Sequence, residues 1–163
     1  MGSKTLPPKS KSAAKPIQLS YNEILQILPQ KPPFVMLDHV DELQKNKIRA
    51  SQTLKLEGLF FQPHYREQVQ SLCAYEMIIA EAMGQAGIIF VKYFMDKLMK
   101  NIRIYLGAID VCFCKNISET KKELIIEVLP VKVISEAAIL SAKTYEQRKI
   151  IAEGQMSFFI SGQ

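Results

Sequence analysis

Two side chains in this sequence have the chemistry of an acid–base pair. His64 lies in residues 60–65 (FFQPHY), and histidine is the side chain most easily poised as a base near neutral pH. Glu81 lies in the most apolar stretch of the chain, where a carboxylate is costly unless it is hydrogen-bonded. Such a pair could move protons in catalysis. Spacing alone leaves open an ordinary loop histidine and a glutamate that reaches solvent or a backbone partner.

Other kinds of site have little support in the sequence. The two histidines, His39 and His64, are fewer than a catalytic zinc site usually needs, so we expect no metal. Three cysteines (Cys73, Cys112 and Cys114) form no CxxC pair, which indicates free thiols, a reducing compartment and a cytoplasmic location. The sequence contains no glycine-rich nucleotide loop and no GxSxG elbow.

A long apolar helix is predicted to position Glu81. Residues 74–99 contain no proline and are apolar on almost every side, so this helix must be buried on almost every side. One small sheet can cover only one side of it, and a second subunit is the simplest cover for the rest. The longest uncharged apolar run, Ala82 to Val91, is about half of the ~20 residues that a membrane span needs, so no span is expected.

Short strand-like runs surround this helix in the sequence. A capping box at Ser20 and Glu23 begins a short helix that Pro29 ends. Six further runs have strand character, and the last three follow one another through short polar turns, as in an antiparallel meander. They are residues 34–40, 47–56, 103–115, 123–134, 137–145 and 150–160. The pattern predicts an α+β protein, with an antiparallel sheet wrapped around a central helix.

The positive charge of the chain lies in its first residues. The net charge is +5, and residues 1–16 contain four lysines and no acid, against 17 basic and 16 acidic residues in the remainder. We expect residues 1–16 to be a disordered basic tail and residues 17–163 to form a single domain. The nearly neutral body gives no reason to expect nucleic-acid binding.

Five motifs, in order along the chain, resemble those of the β-hydroxyacyl-acyl carrier protein dehydratases of type II fatty-acid synthesis. Each motif is weak alone, but the order and the central helix make the resemblance specific from about residue 17 to 160. The motifs are ILQILP with PFVMLDHV (24–29 and 33–40), FFQPH (60–64), EAMGQA (81–86), YLGAIDVCF (105–113) and IAEGQM (151–156).

The resemblance implies the hot-dog fold and a dehydratase site. His64 would remove the α proton of a 3-hydroxyacyl thioester, and Glu81 of the other subunit would protonate the leaving hydroxyl. A backbone N–H at the start of the central helix would polarise the thioester carbonyl. The substrate-binding residues would be Phe60, Phe61, Glu76, Met77 and Gln85.

The resemblance also implies the partners. The substrate would arrive on the phosphopantetheine arm of an acyl carrier protein, with no other cofactor. Lys92, Lys97, Lys100 and Arg103 cluster at the end of the central helix and in the next strand, where an acidic carrier protein could dock; an ordinary solvated basic face would show the same pattern. A homodimer with joined sheets is expected, alone or in a trimer of dimers.

The segment between the two predicted catalytic residues departs from the family pattern. His64 and Glu81 are 17 positions apart, three more than in the family, and the prolines that follow the family's histidine are absent. Two other functions therefore stay open: a non-catalytic subunit that binds acyl chains, and a hot-dog thioesterase or hydratase that acts on CoA esters.

Overall fold

A computed structural model describes residues 15–54, 74–95, 102–114 and 123–162. Within these ranges the chain forms two helices and seven strands. The helices are α1 (Tyr21–Ile27) and α2 (Ala74–Met95). The strands are β1 (Ile17–Leu19), β2 (His39–Gln44), β3 (Lys47–Thr53), β4 (Ile102–Phe113), β5 (Glu123–Val133), β6 (Ala137–Glu146) and β7 (Lys149–Gly162).

The described strands form one antiparallel sheet in the order β1-β2-β3-β5-β6-β7-β4. β5, β6 and β7 are adjacent, which confirms the predicted meander. β4 lies at the end of this order, and the middle of the strand is exposed. The sheet curves around α2, which packs against β3 to β7. The predicted antiparallel sheet around a long central helix, the hot-dog fold, is confirmed.

The capping box before α1 is present. Both the backbone N–H and the hydroxyl of Ser20 donate hydrogen bonds to one oxygen of Glu23, at 2.8 and 2.6 Å. These bonds fix the first turn of the helix. α1 then buries Ile24 against the core, and the helix ends before Pro29.

α2 forms the centre of the hydrophobic core. Ile79, Met83, Ala86 and Phe90 are completely buried, and the sheet supplies the opposite wall through residues such as Phe158. By length and composition alone, Tyr75–Met95 could also cross a membrane. However, 61 % of its most apolar window is buried inside the protein, as in the core helix of a globular domain.

Residues 34–38 were predicted to be part of a strand, and this prediction is wrong. The segment is irregular, and β2 begins only at His39. Leu37 is buried as expected, but the Phe34 carbonyl and the Met36 N–H are hydrogen-bonded to the side chain of Gln85 rather than to a neighbouring strand. β1 was not predicted, because three residues are too few for a periodic pattern.

Candidate active site

Glu81 lies on the side of α2 that the sheet does not fully cover. Helical spacing places it on one face with Met77, Gly84 and Ile88. Met77 is 70 % exposed, Glu81 and Ile88 are half-buried, and Gly84 is buried, although a Cβ added to it would meet no atom within 4 Å. We call these four residues the open face of α2. The carboxylate of Glu81 therefore lies beside space that a substrate or a second subunit could fill.

Gln85 holds Glu81 from the next turn of the helix. Its Nε2 donates to Oε1 of Glu81 at 2.8 Å and to the carbonyl of Phe34 at 2.7 Å, while its Oε1 accepts the N–H of Met36 at 2.9 Å. Gln85 is completely buried, and both of its amide hydrogens and its oxygen are used. Its amide is therefore locked in one orientation, which fastens residues 34–36 to α2.

Gln30 approaches the same carboxylate from the loop after α1. Its Nε2 lies 3.2 Å from Oε1 of Glu81, so two amide groups donate to one carboxylate oxygen. The other amide atom of Gln30, Oε1, is buried and has no hydrogen-bond partner in the described parts of the chain. The expectation that a carboxylate here needs hydrogen bonds is confirmed. No motif pointed to Gln30, because it lies 51 residues before Glu81.

The other predicted site residues fall into two groups. His64, Phe60 and Phe61 lie outside the described residues, as do Lys97 and Lys100, so their roles stay predictions. Glu76 and Met77 lie in the first turn of α2, Glu76 half-buried and Met77 exposed. Their contact with a substrate, like that of Gln85, also stays a prediction.

A groove of about 440 Å³ lies between α1, the second half of α2 and the start of β4. Lys92 and Arg103 line it together with apolar residues that include Ile27, Ile88 and Ile104. Lys92 also donates a hydrogen bond to the Ile27 carbonyl at 3.3 Å, which joins α2 to α1. The groove combines apolar walls with positive charge.

The second histidine is part of a different cluster. The ring of His39, at the start of β2, lies 2.8 Å from the Ser51 hydroxyl and 3.0 Å from the carboxylate of Asp41. Within the described ranges, no three His, Cys, Asp or Glu side chains come together as a metal site would need. A metal-free site stays a prediction.

Comparison with known proteins identifies the family. The profile of the FabA-like domain matches residues 28–155. The chain is 30 % identical to the 3-hydroxyacyl-[acyl-carrier-protein] dehydratase FabZ of Clostridium tetani over 146 residues, which cover 87 % of this chain and 97 % of that enzyme. The FabZ of Clostridium perfringens is 34 % identical over 71 residues, 44 % of this chain, and the match spans about half of that enzyme, 49 %. The chain belongs to the FabA-like family.

A solved structure supports the fold. A dehydratase heterocomplex from Xenorhabdus doucetiae superimposes with a TM-score of 0.61 and 14 % sequence identity, covering 86 % of this chain and 91 % of that one. At this identity the likeness concerns the fold alone. It is the same arrangement of sheet and central helix that the motifs predicted.

Proposed function

We propose that this chain dehydrates 3-hydroxyacyl thioesters carried by an acyl carrier protein, giving trans-2-enoyl thioesters in the synthesis of fatty acids or related lipids. The observation that carries the proposal is the carboxylate of Glu81, held by two amide donors on the open face of α2. Membership of the FabA-like family and the FabZ relatives support the choice of reaction.

The proposed reaction requires two proton transfers. His64 takes the proton from C2 of the acyl chain, and the electron pair of that bond forms the C2–C3 double bond as the C3–O bond breaks. Glu81 gives its proton to the departing hydroxyl, which leaves as water. His64 is then protonated and Glu81 ionised. Before the next turnover, His64 must release a proton to solvent and Glu81 must take one up.

A homodimer would complete this site. In the family resemblance the base and the acid come from different subunits, and in this chain Glu81 lies half-buried on the face of α2 that the sheet only partly covers. The proposed partner chain is therefore a second copy, with its α2 beside the open face and its edge strand along β4. The exposed middle of β4, including Leu106 and Ile109, supports this arrangement.

Substitution of the two proposed catalytic residues tests the reaction. We expect His64→Ala and Glu81→Gln each to lower kcat by about 10²–10⁴ with 3-hydroxyacyl thioesters, because a positioned base or acid contributes about that much. Formation or loss of the enoyl thioester is followed by its absorbance. Glu81→Gln keeps the size of the side chain but removes its titratable proton, so it separates chemistry from packing.

His39→Ala is the matched control for this experiment, since His39 is the other histidine and contacts Ser51 and Asp41 instead of Glu81. It should leave turnover within about twofold of the wild type. A wild-type protein that binds acyl thioesters of several chain lengths but converts none would overturn the proposal in favour of an acyl-binding subunit. Hydrolysis of CoA esters would favour a thioesterase.

The carrier protein is proposed to dock at the groove beside Lys92 and Arg103. Charge reversal at Lys97 and Lys100, which lie between Lys92 and Arg103 in the sequence, should slow association with an acidic carrier protein. The difference from the wild type should shrink as salt is added, because screening weakens the attraction in both proteins. Stopped-flow binding at several salt concentrations measures this effect. Lys132→Glu, an exposed lysine on β5, is the control. An unchanged rate at low salt would place docking elsewhere.

A further inference from the structure

The hydrogen bonds around Glu81 determine which of its oxygens can hold a proton. Gln85 cannot turn its amide around, because its Oε1 accepts the N–H of Met36. Its Nε2 must therefore face Oε1 of Glu81, and the Nε2 of Gln30 approaches the same atom. An oxygen that accepts two N–H groups is a poor place for a proton of its own. In the acid form of Glu81, the proton therefore lies on Oε2.

Gln30 lowers the stability of the folded state. Its Oε1 is buried and has no partner in the described ranges, and a buried acceptor without a hydrogen bond destabilises the folded state. Methionine has a similar shape and would avoid this cost. The glutamine nevertheless places a donor 3.2 Å from the carboxylate of Glu81, which suggests a role in the site rather than in packing.

We propose that Gln30 is a positioning residue for Glu81: together with Gln85 it holds Oε1, so that Oε2 alone carries the proton and delivers it to the leaving hydroxyl. This inference rests on the proposed dehydratase function. It assigns Gln30 no contact with the reacting atoms. Without Gln30, the carboxyl group of Glu81 would be held only by the hydrogen bond from Gln85 and would rotate more freely. A small misplacement of a catalytic group lowers the rate considerably.

Gln30→Met tests the proposal through kcat and the thermal unfolding midpoint. If Gln30 only supported the fold, both would fall together. We expect kcat for dehydration to fall by about 10- to 100-fold with KM within about twofold, because the lost contact acts on proton delivery and not on substrate binding. We expect the thermal unfolding midpoint to stay the same or to rise by about 2–4 °C. Gln18→Met, on exposed β1, is the control and should change neither measurement.

Three results would overturn the inference. They are an unchanged kcat, a rise in KM with kcat preserved, and a loss of kcat that comes with a lower unfolding midpoint. The first would make Gln30 dispensable, the second would place it in substrate binding, and the third would make it a structural residue.

A second measurement separates this inference from the proposed function. A wild-type protein that turns over no hydroxyacyl thioester overturns the proposed dehydratase function. The contact between Gln30 and Glu81 is then followed by NMR of protein labelled with ¹³C at the glutamate carboxyl carbon. The Glu81 signal is assigned from its absence in Glu81→Gln. A changed signal in Gln30→Met supports the hold on Glu81, and an identical signal overturns it.

Discussion

The hydrogen bonds of Glu81 in α2 show how an oxygen of a partly buried carboxylate finds its partners. Gln85 uses its whole amide group, and its three partners lie on two different segments of the chain. The sequence could predict that Glu81 needs hydrogen-bond donors, since the surrounding residues are apolar. It could not predict Gln30 as a donor, because only the folded loop after α1 brings Gln30 to α2.

A second glutamate, Glu23, makes stability depend on pH. The Ser20 hydroxyl, followed by the Ser20 backbone N–H, holds the pKa of Glu23 below its ordinary value of 4.5. Because the folded-state pKa is lowered, this contribution to stability is present above about pH 4.5 and is lost as the pH falls through the lower folded-state value. The capping box should therefore help the fold at neutral pH and not in strong acid.

Glu23→Gln should lower the urea midpoint at neutral pH, and the difference from the wild type should shrink as the solution is acidified below pH 4.5. Urea unfolding at a series of pH values measures both midpoints. Glu136→Gln, an exposed carboxylate in the turn between β5 and β6, is the matched control. A difference between Glu23→Gln and wild type that stays constant down to strong acid would contradict the capping role.

At the scale of elements, the close contact between α2 and β7 depends on a glycine. A Cβ built at Gly87 would lie 2.6 Å from the ring carbon Cζ of Phe158 and 3.3 Å from the Met156 methyl group. Phe158 is completely buried, and a side chain in a close-packed core cannot shift without disturbing its neighbours. The absence of a side chain at Gly87 lets the helix and the sheet approach each other at this point.

Gly87→Ala should destabilise the protein by about 1–2 kcal/mol, because overpacking at Phe158 outweighs the better helix propensity of alanine. Denaturant unfolding gives the change in free energy. Phe158→Leu makes room at the same point, so the double variant should lose less than the two single variants added together. Strict additivity of the two changes would show that the ring of Phe158 is not what limits this contact.

The elements with long regular patterns could be predicted, and the irregular ones could not. β5 to β7 were recognised from composition and periodicity, with bounds within two residues of those seen. The start of α2 at residue 74 was also predicted, while its predicted end at residue 99 lies outside the described residues, which stop at Met95. Residues 34–38 were misread because an apolar run fits a buried strand and a buried loop equally well. Gln85 makes this segment a loop. Its side chain lies about 50 residues further along the sequence and makes the hydrogen bonds to Phe34 and Met36 that a neighbouring strand would otherwise make.

At the scale of the whole molecule, we expect two copies of the chain to associate through the open face of α2 and the edge of β4. Light scattering should therefore give a mass of at least two chains. Gly84→Leu should weaken this association, because the new side chain would extend from the open face of α2. Gly84 is buried in the single chain, but a Cβ there would meet no atom within 4 Å, so the fold has room for at least the first atom of the new side chain.

Circular dichroism checks that the Gly84→Leu chain remains folded, and Val131→Leu provides the control at an exposed apolar residue of β5. A wild-type protein that stays a single chain at high concentration would rule out the dimer. A Gly84→Leu protein as dimeric as the wild type would place the contact on another surface.

The hydrogen bond from Met36 to Gln85 also has a consequence for hydrogen–deuterium exchange. An amide in an irregular segment usually exchanges its proton quickly, but this N–H is bonded to a side chain that is itself completely buried. Its proton can exchange only when residues 34–36 separate from α2, and that separation removes both hydrogen bonds by which this segment orients Gln85 and, through it, Glu81. The deuterium uptake of Met36 therefore measures how often the hydrogen bonds that orient Gln85 beside Glu81 open, in a protein that is neither inhibited nor turning over substrate.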